Sequence, residues 1–260
     1  MKDFTYTLKG EWIMRLPFFK KNKNPKDENE KQNDKDKGAE AISESINDKP
    51  NEDTLLGARI GAKEVYNYLI NGMKDSKGVH IESFMCILGS LAGYSCQASL
   101  RKEFIEMKGL NENQVFAIVE DKNKKKYYFG DMVNQPLVEN QYSVWALSAG
   151  AVHYLGITKM IDILEIFAHV SNTVGSDSYG IPRVPDPHKP GDIPYNYVKS
   201  LWPKFLPIAE YYCASPNEWP IMFGMAIQEG IISGKDAIDP LLALTIAMES
   251  AIPMAKVDIK

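Results

Sequence analysis

FMCILGSLAGYSCQASL, residues 84–100, contains no charged side chain and is apolar or small on every side. A helix of that composition has no face to give to water, so it must lie inside a ring of other helices. Gly89 and Gly93, four residues apart, put two positions without a Cβ on one face, where a neighbouring backbone can come close. In this chain that spacing reads as packing and not as a membrane dimerisation motif. The pattern predicts a helix from about Glu82 to Lys108, with Gly109 as its stop.

Working outward, Leu55, Leu56, Ile60, Val65, Tyr68 and Leu69 recur at helical spacing. Asp53 or Thr54 offers an N-cap and Gly72 a stop. Before them, residues 20–52 alternate Lys, Asp, Glu and Asn with almost no large apolar side chain. Such a segment buries too little to offset its ordering entropy, so residues 1–52 are expected to be a disordered charged tail. Lys9-Gly10-Glu11 can be encoded by a purine-rich run resembling a bacterial ribosome-binding sequence. Residues 1–13 are therefore expected to be leader, with translation starting at Met14. The basic, partly apolar start that results suggests weak attachment to an anionic envelope surface as one reading and a solvated tail as the favoured one.

Beyond Gly109, residues 115–119 and 127–129 are short apolar runs separated by turn chemistry, which predicts a β-hairpin. An isolated hairpin is marginal, so it must pack on helices or gain a third strand. Helices resume at residues 143–154, closed by Gly156, and again from a Thr158 cap to about Val174, stopped by Gly175. Pro194 begins another, which Pro203 and Pro207 are expected to break. Ser215-Pro216-Asn217-Glu218 reads as a capping box opening a helix through Ile232, and Asp239-Pro240 opens the last, ended by Pro253. The fold class is mainly α: a multi-helix globular domain over residues 53–260 with a small inserted β-hairpin and a long ordered proline-rich loop.

That loop, residues 176–202, carries Pro182, Pro185, Pro187, Pro190 and Pro194, too many for a helix or a ladder strand. A long loop inside a packed domain is commonly functional. Its candidate binding residues are Arg183 to grip an anion, His188 to exchange a proton, Asp186 and Asp192, and the rigid aromatics Tyr195 and Trp202. The competing reading is a structural cover, with Tyr179, Ile181 and Val184 pinned to the core. If the loop is functional, Arg183→Ala and His188→Ala should leave the melting temperature nearly unchanged.

Two other constellations carry less. Cys96 and His153 could pair as nucleophile and base, but Cys96 falls mid-helix where burial suppresses the thiolate, and His153 reads as a core histidine. Asp162, Glu165 and His169 project from one helical face, and Glu210, Glu229 and Glu249 sit in apolar helices, a possible metal set. The repeated Glu-x-x-His pairs of helical metal sites are missing. No phosphate loop, dinucleotide fingerprint, nucleophile elbow or paired CxxC is present.

Composition bounds the rest. A net charge of −4 argues against nucleic acid as a partner. The 3 cysteines lack metal-ligand spacing and read as reduced core residues of a cytoplasmic protein. Residues 83–100 and 140–158 approach membrane length but are diluted by polar side chains, against insertion of a span of about 20 apolar residues. The sequence therefore points to a cytoplasmic interaction or binding protein that holds a protein or small polar ligand on the loop, with no cofactor. The alternative is a small hydrolase or metal-dependent enzyme using His188, or the helical carboxylates with His169.

Overall fold

The computed structural model describes residues 55–259; the charged tail, the proposed Met14 start and the Asp53 or Thr54 cap lie outside them. Helix α1 (Leu56–Met73) leads to α2 (Ile81–Leu100), the helix predicted to be central, whose side chains are buried at almost every position. On α1 the inward stripe is Ala58, Ala62, Val65 and Leu69, whereas Leu56, Ile60 and Tyr68 face outward. The small residues turn inward because α1 lies close against its neighbours: a Cβ on Gly61 would meet Met222 Sδ at 2.6 Å.

Past Arg101 the predicted long helix widens into a π-helical stretch, Arg101–Met107, and stops at Gly109, whose φ is +71°. Residues 112–115 form one helical turn, so Val115 is not in the strand where periodicity had placed it. The local cap decides this: Gln114 Oε1 accepts from the Asn111 N–H at 2.8 Å. The hairpin is β1 (Ala117–Glu120) against β2 (Lys126–Phe129), antiparallel, with Val119 opposite Tyr127. Its third rung is the C-terminus. Tyr128 N–H donates to Lys256 O at 2.6 Å, Asp258 N–H to Lys126 O at 3.2 Å, and Val257 bridges Tyr127. From the other side Gln97 Nε2 donates to the carbonyls of Ala255 and Val257 at 3.2 and 3.1 Å, tying that segment to α2.

Helix α3 (Val144–Tyr154) is capped by Ser143, which accepts from Ala146 N–H at 3.1 Å. Helix α4 (Ile163–Asn172) begins later than expected: Asp162, not Thr158, caps it, accepting from Leu164 and Glu165 N–H at 3.0 and 3.2 Å. Aspartate is the stronger cap of the two. Helix α5 (Pro194–Tyr212) runs straight through Pro203 and Pro207, contrary to the predicted break. The two prolines lie four apart on the solvent face, where water can satisfy the carbonyls they orphan. The opposite face buries Val198, Phe205 and Ala209 completely. Each interior proline costs about 3 kcal/mol. Burying a large apolar side chain returns about 1.5–3 kcal/mol, which keeps the helix whole.

Helix α6 (Trp219–Gly234) follows a 3-10 turn at Pro216–Glu218. The expected capping box takes another form: Glu218 accepts from Ala214 N–H at 3.1 Å, while the Ser215 hydroxyl donates to Asn217. Helix α7 (Pro240–Met254) is capped by Asp239 and ends one residue past Pro253. The protein is thus mainly α with a small hairpin. Among the described residues no helix is long and apolar enough to cross a membrane.

The centre is α2 against α7. A Cβ on Gly89 would strike the carbonyl of Ala247, and one on Gly93 that of Ala251, so the two backbones touch where the sequence spacing allowed it. Gly93→Ala is therefore expected to force α2 and α7 apart at a cost of about 3 kcal/mol or more. Gly72→Ala, with nothing within 4 Å of the new Cβ, should gain up to about 1 kcal/mol. Urea denaturation of both variants checks the contrast; equal effects would contradict the backbone contact.

Candidate functional site

The proline-rich loop crosses the helices as an ordered strap. It leaves α4 through a left-handed Gly175 and a turn in which Tyr179 N–H reaches Ser176 O at 3.2 Å. The Tyr179 hydroxyl then donates to Pro253 O at 3.0 Å, and its ring meets Tyr127 edge-on at 4.9 Å. Burial pushes its phenol well above the usual value. Gly180 follows with φ +74°, and a side chain there would also press on Met254 Cε at 3.1 Å. Pro182 is buried, but Ile181, expected to be a core pin, is exposed.

Arg183 is the main polar anchor. Its Nε and Nη2 donate to Glu249 Oε1 at 3.0 and 2.6 Å, while Nη1 and Nη2 donate to Glu165 Oε1 and Oε2 at 2.6 and 2.7 Å. Glu249, from α7, is 5% exposed; Glu165, from the first turn of α4, is 57% exposed. Hydrogen bonding to Glu165, against the opposing effect of burial and with further support from Glu249, holds the guanidinium charged beyond its ordinary range. The same contact with Arg183 holds Glu165 below the usual carboxyl value. Beside this triad opens a cleft of about 310 Å³, completed by Ile161, Ile166, Thr245 and the α4 cap Asp162.

A second latch holds the strap to the start of α2. His188 Nδ1 lies 2.9 Å from Glu82 Oε1, and Gly191 N–H donates to Ser83 Oγ at 2.8 Å. The Ser83 hydroxyl lies 2.7 Å from His80 Nδ1, the nitrogen that accepts from Ser83 N–H at the helix cap. His80 Nε2 is 3.5 Å from Glu82 Oε2. Desolvation raises the Glu82 carboxyl, but the His188 hydrogen bond and the nearby histidines outweigh it and leave it below its ordinary value.

The other expected site residues fall in different places. Trp202 is half-buried, edge-on to Tyr94 at 5.0 Å and tilted against Phe223 at 5.8 Å. Tyr195 lies under Lys125 Nζ at 4.3 Å, bordering a shallow cleft with Asn123, Lys124 and Asp258. Asp186 is exposed and pairs with Lys189 at 2.6 Å. Asp192 accepts from Ile193 N–H and Asn196 Nδ2 at the start of α5. The structure thus brings Arg183 together with Glu165 and Glu249, and leaves Asp186, His188, Asp192 and Tyr195 strung along the strap. Thr245, Ile161 and Ile166 had no signal in the sequence beyond apolar periodicity.

The catalytic and metal readings gain little geometry. Cys96 is fully buried, donates to Ala92 O at 3.3 Å, and burial raises its thiol far above the reactive range, while His153 is exposed, not a core residue. Burial likewise pushes Cys86 to about 11 and Cys213 to about 12; all three cysteines are free. Of the suggested metal ligands, Asp162 caps α4 and Glu165 faces Arg183. Among the described residues no group of three or more His, Cys, Asp or Glu is placed to hold a metal ion. Neither a family model, a curated protein nor a solved structure matches this chain.

Proposed function

We propose that this is a cytoplasmic binding protein that holds a small polar ligand in the cleft beneath the strap, between α4 and α7. The observation carrying this reading is the Arg183 triad: a charged fork anchored by one buried carboxylate and held on its other edge by the exposed Glu165, beside a cleft that Ile161 and Ile166 also wall. Ligand sites characteristically combine mostly apolar walls with a few fixed polar groups. Of the strap's other reactive side chains, His188 is engaged in holding it to the start of α2, which favours binding over turnover. Three buried free thiols support a reducing compartment, and the acidic net charge favours a partner other than nucleic acid.

The test is a thermal-shift screen of small organic acids, amines and sugars on the wild type and on Thr245→Trp, whose indole fills the cleft. Compounds that stabilise the wild type and lose their effect on Thr245→Trp support the reading. Stabilisation that ignores the substitution would place binding elsewhere. Hydrolysis of an ester or phosphoester panel that disappears in His188→Ala would replace it with an enzyme.

A further inference from the structure

We infer that the outer edge of the Arg183 guanidinium is a carboxylate-binding site whose resident occupant, Glu165, is displaced by a small organic acid with a short branched apolar body. This deepens the binding-protein reading and rests on it.

The two carboxylates on Arg183 are not equivalent. Glu249 sits on the buried face of α7, 5% exposed, and takes the Nε and Nη2 edge, with little water to turn to. Glu165 is 57% exposed on the first turn of α4 and takes the Nη1 and Nη2 edge with one oxygen on each nitrogen. That end-on pairing is the arrangement any carboxylate makes with a guanidinium fork. Glu165 can rotate into solvent at little cost, because exposed ion pairs contribute only about 0–1 kcal/mol. Glu249 meanwhile keeps the arginine aimed.

Charge selects exchange over addition. Asp162, Glu165 and Glu249 already oppose the single cation Arg183 in the cleft. An acid that replaces Glu165 on the fork leaves the balance there unchanged, whereas an anion arriving without displacement adds to a negative surplus. A cationic ligand would be drawn to the surplus, but it would meet the Arg183 guanidinium, which stays in the cleft wall on Glu249 whichever way Glu165 turns. The remaining walls, Ile161 and Ile166, are branched and aliphatic, and 310 Å³ is at the small end of ligand cavities. Tethered to its own helix, Glu165 competes as an intramolecular ligand, with an effective concentration in the millimolar range.

The experiment is an NMR titration of the full chain, as wild type, Glu165→Gln and Glu165→Ala, with isovalerate, isovaleramide and isopentylamine. Isovalerate is expected to bind both variants about tenfold or more tightly than the wild type, to shift the amides around residues 161–166 and 183, and to weaken with salt. Isovaleramide should bind all three proteins alike and weakly. Equal isovalerate affinity across the three proteins, or no isovalerate binding to either variant, overturns the inference. If isopentylamine perturbs the cleft while isovalerate does not, the carboxylate assignment fails and the binding-protein reading stands. If Thr245→Trp leaves every response intact, both fail.

Discussion

Lys256→Met should raise the melting temperature at pH 6 to 7 and lower it near pH 10. Lys256 is 1% exposed in the turn that follows α7, its Nζ donating to Asn134 Oδ1 at 2.5 Å, with the Phe129 and Phe167 rings 5.8 and 5.7 Å away. Burial drives its ammonium down from 10.5 to about 7, with Cys96, Glu139 and Asp131 opposing that fall in part. Unfolded, the side chain keeps its proton until 10.5; folded, it gives the proton up near 7. Between those values the unfolded chain binds more protons, so this residue makes stability rise with pH across the window. Below the window the cost of the buried amine is fully expressed, on the order of 5 kcal/mol; above it the cost is gone.

Methionine removes that cost but leaves Asn134, 9% exposed, without its donor, a loss of about 1–3 kcal/mol. At pH 6 the first effect wins and the variant is the more stable protein. Near pH 10 only the second remains and the order reverses. Melting curves of the two proteins across that range test it, since titrations common to both cancel in the difference. A difference that stays constant with pH would mean that Lys256 is charged throughout, or reaches water that the fold denies it.

Lys256 also shows which parts of this structure sequence reasoning reaches. Helix α2 was legible because composition settles burial when seventeen consecutive positions, residues 84–100, lack charge. The starts at Ser143, Pro194 and Asp239 were legible because capping is decided within three residues. Reading fails where a distant partner outweighs the local signal. Pro203 and Pro207 signal a break, yet the core packed under Val198 and Phe205 keeps α5 intact. A lysine three residues past Pro253, two before an aspartate, looks like a surface residue until the hairpin and α4 close over it. The loop was legible as an ordered segment, with Arg183 one of its six candidate binding residues. That its counterions would be Glu165 and Glu249 depends on how α4 and α7 cross, which no spacing within either helix encodes.

That pairing reverses the expectation that Arg183→Ala would be thermally silent. The alanine variant leaves Glu249, 5% exposed, as a buried carboxylate without its cation. Removing one partner of a buried pair typically costs about 3–5 kcal/mol. Arg183 is 35% exposed and admits some water, which places the expected loss near the lower end, at about 3 kcal/mol. Glu165→Ala removes the other carboxylate, but from the exposed side, and should cost under about 1 kcal/mol. His188→Ala falls between: Glu82, 12% exposed, loses a hydrogen bond but keeps His80 at 3.5 Å, for about 1 kcal/mol. The double variant Arg183→Met with Glu249→Leu separates charge burial from lost packing, since it removes both ions and keeps apolar volume. It should recover most of the stability lost by Arg183→Ala. Chemical denaturation of the four proteins reads the order directly. If Arg183→Ala melts with the wild type, the strap is held by Tyr179 and the proline backbone, and Arg183 serves the cleft without bracing the fold. If the double variant stays as unstable as Arg183→Ala, the loss comes from packing around the guanidinium and not from an orphaned Glu249.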